Sequence, residues 1–554
     1  MEQALGLSGL LTIDHSIKLL GHLVLVGLVF FFVRLYQVRI MFRRVRKEHG
    51  IPIMPHSFLF GHLWTTAKIA IKHKIPRDGN GHWMFHFIKL EYPEIAAPGV
   101  LYMDVWPIGY PMIAVYHPEI MAQFTQEHSL PKWWAQGQRE FKHFTGGEDL
   151  VHLEGQEWKA ARAMFNPGFS AKNLLSLIPN FMEEALVFRE RLREAAVSGA
   201  VVKLENYTTD VTVDVVARAV LGTRLQTQTM SSKLMKAMQA QLSSIHLSLD
   251  LSKSLNPTRP IKNWFYNRTI RAELMSLIQQ TVLNYEQLEG PKTVLALALR
   301  SYVEEKRHQG ASSSGASPIP PEFLERVIKH IKIFMFAGHD TTATTLAYAY
   351  HLLSLNSKQA GKMRAEHDEV LGPDPAAAAS RIAIDPTLLN SLPYTLAAIK
   401  ETLRLFPPVG GTIRQSPPGH HLTHPHTRQR YPTHGFMLHS SVTTTARAPE
   451  FWPSPDAFMP ERFLARDASD PLYPVRNVWR PFEMGPRACI GQELVTLELR
   501  LILALTVREF VVEEAYEEGA PVWFGTRAYQ VETAEQAATA HVKGGMPVRV
   551  RVQG

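Results

Sequence analysis

A single cysteine stands in a turn-forming stretch directly ahead of an apolar helix. Cys489 is the only cysteine among 554 residues, so the chain can form neither an intrachain disulfide nor a zinc site of the several-cysteine kind. Gly485 and Pro486 predict a turn, and residues 490–510 predict a helix whose dipole and free amides favour a thiolate at its N-terminal end. Cys489 is therefore a buried spectator, a nucleophile, or the axial ligand of a cofactor.

The residues around Cys489 favour the ligand. Five of them stand at the spacing Phe-x-x-Gly-x-Arg-x-Cys-x-Gly, namely Phe482, Gly485, Arg487, Cys489 and Gly491. At average residue usage, fewer than about one chain in a thousand of this length should match by chance. The segment resembles the haem-binding loop of the haem-thiolate monooxygenases, the cytochrome P-450 family. The resemblance implies that Cys489 is the axial ligand of haem iron. It also implies that Phe482 packs beside a loop bent at Gly485, and that Arg487 faces a haem propionate.

A second motif lies upstream, in a helix predicted from residue 321 to about residue 356 by the spacing of its apolar residues. Residues 337–342 read Ala-Gly-His-Asp-Thr-Thr, a composition that weakens a helix interior. One interpretation is a helix end capped by Gly338. The segment also resembles the Ala-Gly-x-Asp-Thr-Thr segment of the same family. That resemblance implies a widened groove over the haem, in which Gly338 leaves room for dioxygen. There Thr341 hydrogen-bonds the bound oxygen and Asp340 feeds it protons from solvent.

A third motif pairs Glu401 with Arg404, three residues apart on one predicted helical face. Pro407 ends that helix. Such pairs are common on solvated surfaces, but residues 458–463 follow at the distance expected in the family. The resemblance implies that Glu401, Arg404 and Arg462 form a Glu-Arg-Arg triad that locks the core presenting the cysteine loop.

Further basic and aromatic residues match the propionate-binding positions of the family. Trp158 and Arg162 are one turn apart on a predicted helix, and Arg414 lies on a predicted strand after the Pro407-Pro408 break. Each of them alone fits a surface or packing role equally well. Arginine suits a propionate because it offers a charged, bidentate fork to a carboxylate. The resemblance therefore implies that Trp158, Arg162 and Arg414 bind haem b together with Arg487.

The motifs extend from Trp158 to Gly491 and require one continuous fold. The resemblance covers nearly everything after about Pro52. It implies a mainly α protein with a smaller β region, the cytochrome P-450 fold, preceded by one N-terminal transmembrane helix. We divide the chain into a membrane anchor at residues 1–34, a basic and proline-rich hinge at 35–60, and a catalytic domain at 61–554.

The N-terminal segment predicts where the protein resides. Residues 19–33 carry no formal charge, and residues 10–17 can extend them towards the ~20 residues that span a bilayer. Basic residues follow closely: Arg34, Arg39, Arg43, Arg44, Arg46 and Lys47. They orient the C-terminal side to the cytosol, and no small-residue cleavage site indicates a removed signal peptide. The sequence predicts a single-pass protein of the endoplasmic reticulum membrane.

The net charge of +8 does not indicate nucleic-acid binding, because no basic stripe interleaved with aromatic residues is present. Basic residues near the cysteine loop, with Lys159, Arg480 and Arg487 as candidates, would instead attract an acidic reductase. Histidines cluster between residues 416 and 440, at His420, His421, His424, His426, His434 and His439. Their spacing is irregular, which favours a loop beside the sheet over a metal site.

These observations predict a monooxygenase that inserts one oxygen atom from dioxygen into a lipophilic substrate. No Gly-rich nucleotide-binding turn is evident, so NADPH-cytochrome P-450 reductase is the expected electron donor, with cytochrome b5 as a second candidate partner. Residues 479–482 and 491–494 resemble filamentous-fungal members that oxidise secondary metabolites, such as averufin monooxygenases. One alternative is a haem-thiolate isomerase or dehydratase that needs no reductase, against which Asp340 and Thr341 argue. The other is a non-catalytic haem-binding membrane protein, in which the distal groove would have no use.

Overall fold

The structure is a computed structural model that describes residues 2–133, 141–243, 256–284, 292–308, 319–532 and 539–553. Within these ranges helices predominate and the strands are short. The predicted class, mainly α with a smaller β region, is confirmed.

The helices are numbered here in chain order. Up to residue 242 they are α1 Glu2–His49, α2 Leu63–Lys72, α3 Met84–Glu91, α4 Pro93–Ala96, α5 Pro118–Ala122, α6 Lys142–Thr145, α7 Gly155–Phe165, α8 Ala171–Ser176, α9 Ile178–Ser198, α10 Leu204–Val220 and α11 Lys233–Leu242. Those that follow are α12 Arg259–Asn284, α13 Val294–His308, α14 Pro321–Leu355, α15 Ser357–Leu371, α16 Ala378–Ile384, α17 Pro393–Leu405, α18 Val442–Ala446 and α19 Gln492–Thr506.

The strands form small sheets at the edges of the helical body. They are β1 Val100–Met103, β2 Met112–Val115, β3 Val202–Lys203, β4 Ile413–Gln415, β5 His421–Thr423, β6 Arg430–Pro432, β7 Met437–Ser440, β8 Phe510–Glu514, β9 Gln530–Val531, β10 His541–Val542 and β11 Pro547–Val552. The largest described sheet has the order β1-β2-β7-β4, in which β2 and β7 are parallel and the outer pairs antiparallel. A second sheet has the order β3-β11-β8, while β5 pairs with β6 and β9 with β10.

Helix α14 crosses the main hydrophobic core. Its predicted bounds are confirmed, since Pro321 is the first residue and apolar residues such as Val327, Ile331 and Leu346 are fully buried. The helix continues without interruption through residues 337–342, so the interpretation as a helix end is wrong. The helix also has no break where the sequence predicts a widened groove. Burial of the apolar residues before and after this segment compensates for its low helix propensity.

The helix after the cysteine loop is shorter than predicted. Residues 490–510 were expected to be helical, but α19 ends at Thr506 and β8 begins at Phe510. Apolar content alone does not distinguish a buried helix from the buried strand that follows it.

The N-terminal helix α1 combines a candidate membrane span with a segment that docks onto the domain. The part Lys18–His49 is long and apolar enough to cross a membrane by length and composition, and an 18-residue window within it has a mean hydropathy of 2.1. The predicted division between anchor and hinge at residue 34 falls inside this helix. Beyond it, Leu35, Val38 and Phe42 are buried, and Val38 and Phe42 pack against β1, β2 and β7.

Arg39 fastens this docking segment to the catalytic domain. The sequence places it among the basic residues flanking the membrane, but its side chain is fully buried and its Nη1 lies 2.5 Å from Asp104 Oδ2. It also donates to the carbonyls of Phe58 and Leu59 at 2.8 and 2.9 Å. A buried arginine paired in this way fixes the helix against the domain, because breaking the pair would leave an uncompensated buried charge.

Deleting residues 1–34 is expected to move the protein to the soluble fraction with its cofactor retained. The residues that dock α1 onto the domain begin at Leu35, and no predicted site residue lies upstream. The measurement is the distribution between pellet and supernatant after a carbonate wash, with the reduced carbon monoxide spectrum recorded on both. A truncated chain that stays in the pellet would show that another surface holds the membrane.

Candidate cofactor site at the cysteine loop

The loop before α19 is held in shape by local hydrogen bonding and by one glycine. The amide of Cys489 donates to the carbonyl of Phe482 at 2.9 Å and closes the loop. Gly485 has a φ of +87°, and a Cβ at this position would lie 2.4 Å from the carbonyl oxygen of Thr125. Only glycine fits both the backbone conformation and this close approach to the turn Gln123–Glu127. Phe482 packs edge-on against Trp479, with ring centres 5.9 Å apart.

The side chain of Cys489 is accessible to solvent. Burial raises the pKa of the Cys489 thiol, while the amides of Gly491 and Gln492 and the charge of Arg162 act in the opposite direction. A metal cation at the sulfur would complete this partial stabilisation of a thiolate, because a coordinated thiol is deprotonated.

Helix α7 brings its predicted residues to the loop. Arg162 Nη1 donates to the carbonyl of Ala488 at 2.9 Å. The guanidinium carbon of Arg487 lies 4.2 Å from the centre of the Trp158 ring, and Arg487 Nη2 lies 2.5 Å from Glu154 Oε2 at the start of the same helix. Trp158, Arg162 and Arg487 therefore lie together beside the cysteine loop, and their binding of propionates stays a prediction.

Arg414 lies on β4, as predicted, and belongs to a group of cations with an incomplete set of partners. Its Nη1 donates to Thr412 Oγ1 at 2.5 Å, and Lys132 Nζ donates to the same oxygen at 3.0 Å. Burial, followed by the charges of Arg414 and Arg487, lowers the pKa of Lys132 well below its usual value, although Glu483 and Glu154 oppose this. A cavity of about 490 Å³ opens beside Lys132 and Glu154.

The unpaired atoms in this group indicate an anionic ligand. Arg414 Nε and Nη2 and Arg487 Nη1 are buried and have no hydrogen-bond partner within the described ranges. Leaving a buried donor without a partner costs about 1–3 kcal/mol, and more for a charged group. Two carboxylates on one ligand would pair these nitrogens, so the residues present fit the propionates of a haem whose iron faces Cys489.

The distal residues lie on α14. Ala337 is exposed and Thr341 partly exposed, although the residues between Phe323 and Leu353 are mostly buried. These two positions are four apart, so they share one face of the helix, and that face is accessible to solvent. Thr341 Oγ1 donates to the carbonyl of Ala337 at 2.9 Å.

Asp340 and Gly338 point to other neighbours. Asp340 is buried, and its carboxylate accepts a hydrogen bond from Thr539 and lies 3.5 Å from His541 Nε2. Burial alone would raise the pKa of Asp340, but the charge on His541 and the hydrogen bonds outweigh burial and lower it to about 2. At Gly338, a Cβ would lie 2.7 Å from Val216 Cγ2. Close packing of α10 therefore requires this glycine, and its role towards dioxygen stays a prediction.

The predicted triad is present and fully buried. Arg404 Nε and Nη2 donate to the two oxygens of Glu401, both at 2.7 Å. Arg462 Nε lies 3.2 Å from Glu401 Oε1. Arg404 Nη1 also donates to the carbonyls of Ala446 and Pro455, both at 2.6 Å. The triad thus ties α17 to the chain segment that leads into the cysteine loop.

Two predictions about surface residues need correction. Arg480 is buried, with its guanidinium bound to Glu483 and, at 2.7 Å, to Thr125 Oγ1, so it cannot belong to a docking surface. The histidine-rich segment is not a single loop, because it forms β5, β6 and β7, and His439 on β7 is buried. Sequence reasoning also missed Lys132, Glu154 and His541. Glu154 alone had a local signal, since it stands one helical turn before Trp158.

Comparison with known proteins agrees with this fold. The chain belongs to the cytochrome P450 family, whose sequence model matches residues 100–525. It is similar to the cytochrome P450 monooxygenase polC of Polytolypa hystricis, with 36% identity over 89% of this chain and 87% of that protein. Cytochrome P450 monooxygenase acrF of Aspergillus aculeatus is 31% identical over 81% of this chain and 93% of its own length.

Solved structures show the same fold. The haem domain of cytochrome P450DA superimposes with a TM-score of 0.66 at 18% identity, covering 91% of this chain and 97% of that domain. The chain is therefore a P450-type monooxygenase with thiolate-ligated haem iron.

Proposed function

We propose that this protein is a single-pass monooxygenase on the cytosolic face of the endoplasmic reticulum membrane, acting on a lipophilic fungal secondary metabolite. Electrons come from NADPH-cytochrome P-450 reductase, with cytochrome b5 as a second donor. The observation that carries the proposal is the set of buried nitrogens without a hydrogen-bond partner on Arg414 and on Arg487, which lies in the Cys489 loop. The fungal origin of the similar monooxygenases supports the substrate class.

The residues divide into those that hold haem b and those that handle protons. Cys489 Sγ is the axial ligand, and Phe482 and Gly485 shape its loop. Gly338 allows α10 to pack closely against α14. The propionate-binding set comprises Trp158, Arg162, Arg414 and Arg487. When bound, the haem supplies dioxygen activation and transfer of one oxygen atom to the substrate.

Overall, substrate, dioxygen, two electrons and two protons give oxygenated product and water, so protons must reach the cavity in each turnover. The Thr341 hydroxyl stands on the solvent-accessible face of α14 and can turn from the Ala337 carbonyl towards a bound group. Asp340, on the adjacent helix position, is ionised at rest and takes up each proton that it passes towards Thr341. An acid positioned in this way contributes about 10²–10⁴ to a proton-transfer step.

The cavity suits an apolar substrate. Ala337 on α14 and Val409 after α17 expose apolar surface. Ala337 lies on the helix that carries Thr341, and Val409 follows the helix that carries Glu401 and Arg404. The substrate would therefore lie against the same cavity as the haem. Pockets lined mainly by apolar side chains orient their ligands through a few polar contacts.

The function is tested with the full-length protein in microsomes with NADPH-cytochrome P-450 reductase. The substrate source is a lipid extract of the producing organism lacking this gene. We expect a product that carries one ¹⁸O atom from ¹⁸O₂ and forms only with NADPH. Product formation without NADPH would favour an isomerase or dehydratase, and a thiolate-type carbon monoxide spectrum without any product would favour a non-catalytic haem protein.

Thr341→Ala and Asp340→Asn are expected to separate oxygen chemistry from cofactor binding. Neither change touches Cys489 or the propionate set, so the reduced carbon monoxide spectrum should persist in both. Without the Thr341 hydroxyl, NADPH use should continue while hydrogen peroxide replaces product. Loss of the Asp340 carboxylate should slow NADPH use itself, about tenfold or more. The measurement is the ratio of product to NADPH consumed, with peroxide assayed alongside. Parent-like coupling in both variants would contradict the assigned roles.

A further inference from the structure

The carboxylate of Asp340 is the inner end of a continuous hydrogen-bonded chain. The Thr539 hydroxyl donates to Asp340 Oδ2 and lies 3.2 Å from His541 Nε2. The other ring nitrogen, His541 Nδ1, lies 2.9 Å from Glu205 Oε1. The chain therefore links α14 to β10 and then to the first turn of α10.

The two ends of this chain are partly exposed and its middle is buried. The side chains of Asp340 and Glu205 retain 12% and 13% exposure, whereas that of His541 retains 5%. Glu205 Oε1 also accepts the amide of Val542 at 3.1 Å, which holds the carboxylate against β10. Glu205 is thus the end of the chain away from α14, and its side chain is accessible to water.

Every member of the chain can both accept and release a proton. Carboxylates and hydroxyls do so at oxygen, and an imidazole can release a proton at one nitrogen while it takes another at the opposite nitrogen. An arginine or lysine at the position of His541 would pair with Asp340 equally well but has no acceptor atom. His541 can therefore both accept and release a proton, which an ion pair alone does not require.

The surrounding charges keep His541 protonated. Burial alone would lower the pKa of His541, but the charge of Asp340 and the hydrogen bonds to Asp340 and Glu205 raise it to about 10. His339, which faces the pair from α14, stays neutral because burial lowers its pKa. Tyr348, which faces Glu205, stays neutral because burial raises its pKa well above the usual value. The Tyr516 hydroxyl near Glu205 is also neutral, since burial raises its pKa.

We propose that Glu205, His541 and Thr539 form a path that delivers protons from solvent to Asp340. This inference rests on the proposed monooxygenase function and extends its proton supply to the protein surface. All three residues act through Asp340, so they are positioning residues and not catalytic ones.

One transfer leaves the number of protons on these side chains unchanged. After Asp340 has given a proton to the cavity, the His541 Nε2 proton passes to Asp340 through the Thr539 hydroxyl, which releases one proton as it accepts another. His541 is then neutral with its remaining proton on Nδ1. The ring turns about the Cβ–Cγ bond, the bare nitrogen takes a proton from Glu205, and Glu205 takes one from water. The side chains return to their initial states, and one proton has moved from solvent to Asp340.

The first test uses the purified full-length protein at rest and compares the parent with His541→Gln. A folded-state pKa of about 10 for His541, against about 6.5 for an unfolded histidine, means that the ion pair stabilises the fold fully below pH 6.5. This stabilisation is lost as the pH rises through 10. The parent should therefore have the higher Tm at pH 7, and the difference should shrink towards pH 10. A difference that does not change with pH would overturn the charged state of His541 on which the path depends.

The second test measures NADPH oxidation with the reductase and lipid extract described above, in H₂O and in D₂O. His541→Gln and Glu205→Gln should reduce the rate about tenfold or more and increase the solvent isotope effect, with the reduced carbon monoxide spectrum unchanged. The control is Glu513→Gln, which removes a carboxylate of β8 that pairs with Arg551 at 3.0 Å on the exposed part of the same C-terminal region. This control should match the parent.

The outcomes distinguish the path from the function on which it rests. Variants with the rate and isotope effect of the parent would overturn the path and leave the monooxygenase function standing. A parent without NADPH-dependent turnover would overturn both. A slower rate in His541→Gln without any change in isotope effect would assign His541 a structural role only, which also overturns the path.

Discussion

Replacing Cys489 by serine is expected to abolish the thiolate-type reduced carbon monoxide spectrum and all monooxygenase activity. A neutral hydroxyl is a poor ligand to ferric iron, and Cys489 is the only thiol in the chain. The fold should persist, because the loop is closed by the backbone hydrogen bond from Cys489 to Phe482 and by the turn at Gly485, neither of which involves the sulfur. The measurement is the difference spectrum of the reduced, carbon monoxide-bound protein, together with far-ultraviolet circular dichroism.

Ala488→Ser is the matched control for this variant. It adds a hydroxyl to the neighbouring residue, whose carbonyl accepts from Arg162, and leaves the thiol in place. The control should keep the thiolate spectrum. A Cys489→Ser protein with a normal spectrum would contradict the axial-ligand assignment.

Glu401→Gln is expected to cost most of the stability of the catalytic domain and to prevent retention of haem. The carboxylate of Glu401 is the common partner of two fully buried arginines. Removing one partner of a buried ion pair costs about 3–5 kcal/mol, a large share of the 5–15 kcal/mol by which a typical protein is stable. The denaturant midpoint and the haem content of the purified protein measure the effect.

A nearby ion pair supplies the control for Glu401→Gln. Lys362 Nζ lies 2.6 Å from Glu461 Oε1, next to Arg462, but both side chains are substantially exposed. Lys362→Gln should therefore change stability by at most about 1 kcal/mol. Equal stability of the two variants would show that the triad does not lock the core.

Local sequence patterns accounted for the parts of the site that lie close together in the chain. The turn at Gly485, the helix that carries Asp340 and Thr341, and the pairing of Glu401 with Arg404 all depend on residues a few positions apart. Backbone conformation and helical periodicity determine such arrangements directly. Family resemblance then related these segments to one cofactor.

Local sequence patterns did not predict contacts between segments that are distant in the chain. Glu205 and His541 meet across 336 positions, and no pattern around either residue indicates the other. Arg39 and Arg480 looked like surface cations, although each is buried with a carboxylate partner. A charge alone does not reveal its partner, because burial and pairing arise only when the elements pack.

The sequence by itself determined the thiol, its turn, the distal helix and the mainly helical class, because each follows from residue types at short, regular spacing. Only the tertiary structure decided which cations lack partners at the cavity, why α10 requires Gly338, and how Asp340 connects to His541. These features depend on which side chains distant elements bring within hydrogen-bond or van der Waals distance. The free energy of such contacts depends on whether each buried polar or charged group finds a partner, and the linear order of the residues does not encode this locally.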